Sequence, residues 1–244
     1  MKIPYSSMET YRIISKMNKR DIIKLSRMTC KDHHHSYLAH MNCAIKDGVL
    51  TRVKDGKSFI IQEKVGILDI ETFTFNFKAD MGIMLTYCIK ELDGKIISNK
   101  ITPSECKLSS DNDKRLMKDL IKDLDGFTRL IGHYSTYFDI PFLRTRAIYY
   151  NLDFPIYKSI YSTDTYFILK NKFSLRSKSL RHACNFFGIP SKDHEFDFDH
   201  WYRAAKGSKK DIDYVLAHNK EDVISTELLY LKINSYALEG KRSI

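Results

Sequence analysis

The run Gly66-Ile67-Leu68-Asp69-Ile70-Glu71-Thr72 constrains the fold of this chain more than any other, because it is an apolar strand-like segment that ends in two carboxylates at i and i+2. Side chains alternate faces along a strand, so Asp69 and Glu71 point the same way, while Ile67, Leu68 and Ile70 suit the buried centre of a sheet. Two carboxylates held on one side of a buried strand end repel each other unless a cation lies between them. That pattern predicts a Mg²⁺ or Mn²⁺ site, since these hard cations take oxygen ligands. Acid-x-acid also decorates solvated strand ends, so the weight of the reading rests on agreement elsewhere.

Two other segments agree. Leu130-Ile131-Gly132-His133-Tyr134-Ser135-Thr136-Tyr137-Phe138-Asp139-Ile140-Pro141 reads as an apolar strand, a polar turn and an Asp that opens an amphipathic helix. Farther on, Ile212, Val215, Leu216, Val223, Leu228 and Leu229 recur near a 3.6 period and predict a helix. His218 and Asp222 stand at i, i+4 on it and share one face.

The coarse order of elements is two N-terminal helices, a Cys/His loop and an α/β body. Helices are predicted over Met8–Met17 and Lys19–Met28, with Asn18 as an N-cap. Strands are predicted over Phe59–Gln62, Val65–Ile70, Ile83–Lys90 and Lys95–Asn99, the last entered through a turn at Asp93-Gly94. Further on come a helix at Lys114–Leu124, a strand at Thr128–His133, and helices at Pro141–Asn151 and Leu180–Phe187, the last stopped by Gly188-Ile189-Pro190. Strands followed by alternating helices and strands predict a mixed α/β sheet. The expected division is an N-terminal helical segment over 1–50 and the α/β domain over 51–244.

Composition narrows the partners. With 40 basic against 30 acidic residues the formal charge is +10, the footprint of a polyanion binder, although Lys-rich surfaces also serve solubility. Arg144 and Arg146 follow Asp139, and Lys178 lies in a basic stretch with Lys170, Lys172, Arg176 and Arg181, so these side chains are candidates to track phosphates. No run of about 18 apolar residues suggests a membrane span. Charged residues recur from Lys2 to Lys24 and leave no apolar signal region. Five cysteines, an odd number, favour reduced thiols and a cytoplasmic protein.

Cys30-Lys31-Asp32-His33-His34-His35 followed by His40-Met41-Asn42-Cys43 is a second chemical cluster. Cys-x-x-His and His-x-x-Cys pairs can close a tetrahedral structural Zn²⁺ site. Four of Cys30, His33, His35, His40 and Cys43 would serve, with His34 an alternative within the triple His; the competing reading is a polar loop.

The three acidic segments resemble the Exo I, Exo II and Exo III motifs of the DEDD 3′-5′ exonuclease superfamily, most closely its YprB-like ribonuclease H-like family. Asp69 and Glu71 match Exo I, Asp139 in Phe-Asp-x-Pro matches Exo II, and Asp222 in His-Asn-x-x-Asp-Val matches Exo III. Ser162-Thr163-Asp164-Thr165, Ser179 to Ile189 and Trp201 extend the resemblance, which spans about Val65 to Tyr236. It implies a ribonuclease H-like mixed sheet flanked by helices, with the N-terminal helical part as a small zinc-binding appendage. It also implies two Mg²⁺ or Mn²⁺ ions held by Asp69, Glu71, Asp139 and Asp222, with His218 as general base, acting on DNA or RNA at single-stranded 3′ ends. The chain departs from the pattern twice: Tyr134 stands where the family places a substrate-contacting Asn, and His218 occupies the spacing at which one subclass carries Tyr. Two other functions remain consistent with the sequence: a non-degrading nucleic-acid binder or partner-recruiting module on a degenerate nuclease fold, and a structure-specific endonuclease.

Overall fold

A computed structural model describes residues 11–237 apart from 12, 18, 31, 53–58, 75, 77, 109, 111, 156–158 and 191. The Met8–Met17 helix falls mostly outside these residues, and the Asn18 cap falls wholly outside them. The body is a five-stranded sheet in the order β5-β4-β3-β6-β7, formed by β3 (Val65–Thr74), β4 (Gly82–Glu91), β5 (Ile96–Lys100), β6 (Arg129–Gly132) and β7 (Tyr161–Asp164). The pairs β3–β4 and β4–β5 are antiparallel, whereas β3–β6 and β6–β7 are parallel. This is the mixed sheet flanked by helices that the pattern predicts. Among the described residues no helix is long and apolar enough to cross a membrane.

Alternation along β3 decides what each face meets. Leu68 and Ile70 join Leu85, Tyr87 and Ile89 in the main core, packed with residues of α3 (Lys114–Asp123) and α4 (Asp139–Tyr149). Ile67 turns to the opposite face, where it shares a smaller cluster with Cys88, Ile131 and Val223 of α8 (Lys209–Ile233). Asp69 and Glu71 follow Ile67 in phase. A Cβ on Gly66 would come within 2.7 Å of the Phe127 ring, so glycine is what lets that ring close over the strand.

β3 extends beyond the predicted Ile70 to Thr74, paired with the full length of β4, and the register shifts between Glu71 and Thr72. A bulge at this point re-aims the neighbouring side chain. On its other side β3 pairs with β6 only as far as Ile67–Ile131, so the backbone beyond needs other partners.

The predicted helices at Lys114, Pro141 and Leu180 occur within two residues of their expected bounds. The third is α6 (Leu180–Phe186), and Gly188 leaves it at φ 70°, a conformation glycine adopts without strain. The strand β7 and two helices, α5 (Thr165–Lys172) and α7 (Phe198–Ala205), were not predicted. The helix predicted from Ile212 to Leu229 is part of the 25-residue α8.

The N-terminal residues form their own packing cluster. α1 (Lys19–Arg27) contributes Leu25, α2 (Met41–Lys46) contributes Met41, Cys43 and Ala44, and Tyr161 of β7 joins them. Leu50 of β1 (Leu50–Arg52) is buried in the same cluster, against which Phe59 and Ile61 of β2 (Phe59–Ile61) pack. Tyr161 thus links this unit to an edge strand of the main sheet, a common way of protecting an edge.

Candidate active site

Four carboxylates come from three elements. Asp69 and Glu71 lie on β3, Asp139 opens α4, and Asp222 lies on α8. Asp139 Oδ1 accepts the Ile70 N–H at 3.1 Å, which satisfies a β3 donor beyond the end of its pairing with β6. Asp69 Oδ2 accepts from Asn219 Nδ2 at 2.9 Å. Glu71 Oε2 accepts from Trp201 Nε1 at 3.0 Å, while its Oε1 lies 3.4 Å from His218 Nε2. Asp222 Oδ2 lies 2.9 Å from the same His218 nitrogen, and Asp222 Oδ1 meets the Lys192 ammonium.

Donor atoms of Glu71, His218 and Asp222 all lie within 4.8 Å of one another; Asp69 and Asp139 flank this group and are not in it. The carboxylates nevertheless act on one another. Burial pushes the Asp69 carboxyl up to about 7. Burial and then the Asp69 charge raise both Glu71 and Asp139 well above the ordinary carboxylate range. Such a site is costly unless protons or cations balance it.

His218 adds to that imbalance. Its Nδ1 lies 2.5 Å from the His194 carbonyl, which only accepts, so Nδ1 carries the proton and Nε2 presents a lone pair. Burial pulls the imidazole down to about 4, so it is neutral near pH 7. An unprotonated nitrogen facing two carboxylates is unfavourable as it stands. Together with the raised carboxylates and the oxygen-rich donor set, it fits a divalent cation.

The candidate nucleic-acid residues separate. Tyr134 is exposed, at φ 65°, and its ring lies 5.6 Å from Tyr137 and 4.9 Å from Tyr166. Arg144 is exposed. Arg146 corrects the expectation: it is only 7% exposed, and its guanidinium binds Asp113 and the Tyr150 hydroxyl, so it is a core ion pair and not a phosphate contact. Lys178 is half-buried and donates to the Leu175 carbonyl at 2.5 Å.

Among the Cys and His candidates, Cys30, His33, His40 and Cys43 gather. Cys43 Sγ lies 3.1 Å from His40 Nδ1 and 3.4 Å from His33 Nδ1, and Cys30 Sγ lies 3.8 Å from His33 Nδ1. Zn–S bonds of about 2.3 Å and Zn–N bonds of about 2.0 Å in a tetrahedron imply ligand separations of roughly 3.5 Å, so the donor set fits. His35 and His34 are corrected out of the set: both are exposed and neither belongs to the group. A tight turn explains the choice, since Cys30 N–H bonds to His35 O and His34 N–H to Cys30 O, which folds His33 back onto Cys30.

Sequence reasoning missed three residues that organise the site. Lys192 sits in a loop with no periodicity, so nothing in the sequence marks it. Asn219 is fully buried between Val215 and Val223 on one helix stripe, and a polar residue in an apolar stripe was a readable signal. Asp164 ends β7 and accepts the N–H groups of Tyr134 at 2.8 Å, Thr136 at 3.0 Å and Tyr166 at 3.0 Å, holding the aromatic turn to α5.

Comparison with known proteins gives a match between residues 67–234 and the model of the RNase_H superfamily. No curated protein sequence matches. Among solved structures, the chain is similar to a family B DNA polymerase from the hyperthermophilic archaeon Pyrobaculum calidifontis, with a TM-score of 0.57 and 15% identity over 80% of this chain. The match covers 31% of the polymerase chain, and at this identity it speaks for the fold alone.

Proposed function

The chain belongs to the RNase H superfamily, and from that premise we propose that it is a metal-dependent nuclease that hydrolyses nucleic-acid phosphodiesters. The more specific reading is a DEDD-type 3′-5′ exonuclease of the YprB-like kind, acting on single-stranded ends of DNA or RNA. The observation that carries it is the set of four mutually raised carboxylates from β3, α4 and α8 around a neutral His218.

Asp69, Glu71, Asp139 and Asp222 would hold Mg²⁺ or Mn²⁺, which when bound polarises the phosphate and stabilises attacking and leaving oxygens. His218 Nε2 is free to orient a water or take its proton, because Nδ1 is held by the His194 carbonyl. Trp201 fixes the Glu71 carboxylate by one oxygen and leaves the other turned to His218. The exposed Tyr134 and Tyr137 offer faces on which unpaired bases can stack, with Arg144 on the surface of α4 for phosphates.

In the N-terminal unit, taken as 1–50 with the nuclease domain over 51–244, we propose a structural zinc on Cys30, His33, His40 and Cys43. A closed four-ligand site leaves no position for a catalytic water.

Strands of DNA and RNA labelled at the 5′ or 3′ end, incubated with Mg²⁺ or Mn²⁺, test the activity. Stepwise shortening from the 3′ end is expected, and Asp69→Ala should abolish it while keeping affinity within a few-fold. Internal cuts would indicate an endonuclease. Binding without metal-dependent cleavage would reject hydrolysis in favour of a non-degrading binder.

A further inference from the structure

Lys192 is the residue of this site that neither motif nor periodicity accounts for. Its side chain is only 18% exposed, and its ammonium contacts Asp222 Oδ1. Its charge also reaches Asp69 and Glu71, so one ammonium faces three of the four carboxylates.

The loop that presents Lys192 is anchored. Two residues on, Glu221 of α8 accepts from the His194 N–H at 2.9 Å and meets the His194 ring at 2.6 Å, and the His194 carbonyl takes the His218 Nδ1–H. The Tyr214 hydroxyl donates to Glu195 O at 2.9 Å. Four consecutive helical turns of α8 therefore hold the segment that carries the ammonium beside His218 and Asp222. Such anchoring is not what a solvated surface lysine receives.

A divalent ion ligated by Asp222 would need the same oxygen lone pairs and the same space, since Mg²⁺–O bonds are about 2.0 to 2.1 Å. An ammonium is a compact point charge that can neutralise a carboxylate but cannot polarise a phosphate as a Lewis acid. We infer that Lys192 is a tethered cation occupying the Asp222 side of the site, so that the wild-type chain binds one divalent ion where its carboxylates could otherwise bind two. The inference rests on the hydrolytic reading above for the existence of a metal site. Lys192 acts here through the carboxylates, as a positioning residue.

Metal stoichiometry tests it without any turnover. Mn²⁺ would be titrated calorimetrically into the zinc-loaded full chain, and the bound ions would be examined by electron paramagnetic resonance for wild type, Lys192→Met and Lys192→Arg. Wild type and Lys192→Arg are expected to bind one magnetically isolated ion, and Lys192→Met two ions with a spin-coupled signal. Asp69→Ala serves as the control that assigns the ions to this site. Two coupled ions in wild type, or one ion in both wild type and Lys192→Met, would overturn the inference and leave the hydrolytic reading intact. Binding of no Mn²⁺ by any of them would overturn both together.

Discussion

The indole of Trp201 donates its N–H to Glu71 Oε2 at 3.0 Å, across 130 residues of sequence, and so ties α7 to the carboxylate end of β3. Trp201 is itself buried in the main core, and its ring meets the His218 imidazole edge to face at 5.0 Å. One core side chain therefore orients both a carboxylate and the proposed base.

Replacing it with Phe keeps most of the packing and removes the donor. Loss of such an outer hydrogen bond to a metal-ligating carboxylate typically costs about 10- to 100-fold in metal affinity or activity. Trp201→Phe is expected to show at least a roughly 10-fold drop in Mn²⁺ affinity with a nearly unchanged fold by circular dichroism. An unchanged affinity would mean that Glu71 does not touch the ion.

The raised carboxylates have a consequence for stability against pH. Asp69 titrates near 7 in the folded chain, well above its ordinary value of 3.8. Between these values the unfolded state has already released the proton that the folded state retains, so this group makes stability fall as pH rises from about 4 to about 7. Without divalent ions, Asp69→Asn should therefore melt higher than wild type at pH 8, with the gap closing toward pH 4. Mn²⁺ should raise the wild-type melting temperature most at high pH. Thermal scans with and without chelator at several pH values would check both, and a pH-independent gap would contradict the assignment.

Arg146 and Asp113 form an ion pair in which Asp113 is fully buried. Removing one partner of such a pair leaves an uncompensated charge and costs about 3 to 5 kcal/mol. Urea denaturation of Arg146→Met should show a loss of that order, whereas Arg144→Ala should leave stability nearly unchanged and weaken binding of single-stranded DNA or RNA. Equal stability losses in the two variants would show that the distinction between core and surface is wrong.

The zinc proposal separates ligands from bystanders. Elemental analysis should find about one zinc per chain, retained by His35→Ala and lost in Cys30→Ser with a clear fall in melting temperature. The Cys43 thiol, pushed up to about 11 by burial and by Cys30, would ionise on binding zinc, so zinc uptake should release protons measurable in a weakly buffered solution. Retention of zinc by Cys30→Ser would exclude this ligand set.

Much of the site was legible before folding because strand and helix periodicities are local. An alternation of two puts Asp69 and Glu71 on one face of β3, and a one-turn spacing puts His218 beside Asp222; the Nε2 to Oδ2 separation of 2.9 Å follows from helix geometry alone. The paired Cys-x-x-His and His-x-x-Cys spacings similarly made four ligands available within a few residues. Choosing His33 over His34 and His35 was not legible, because a backbone turn closing on Cys30 makes that choice.

What the sequence determined by itself was therefore the identity of the chemistry: an acidic strand end, an Asp opening a helix, a His and Asp on one helix face, and a mixed sheet to carry them. Tertiary structure decided which charges face one another. Arg144 and Arg146 read alike as basic residues two apart, yet one reaches solvent and the other is drawn into the core by Asp113. Lys192 reads as an ordinary loop lysine, yet the anchoring of His194 to α8 brings its ammonium to Asp222. The physical reason is the same in both cases: hydrophobic periodicity fixes a residue's face on its own element, whereas electrostatic partners are set by distances between elements far apart in sequence, which exist only once those elements have packed.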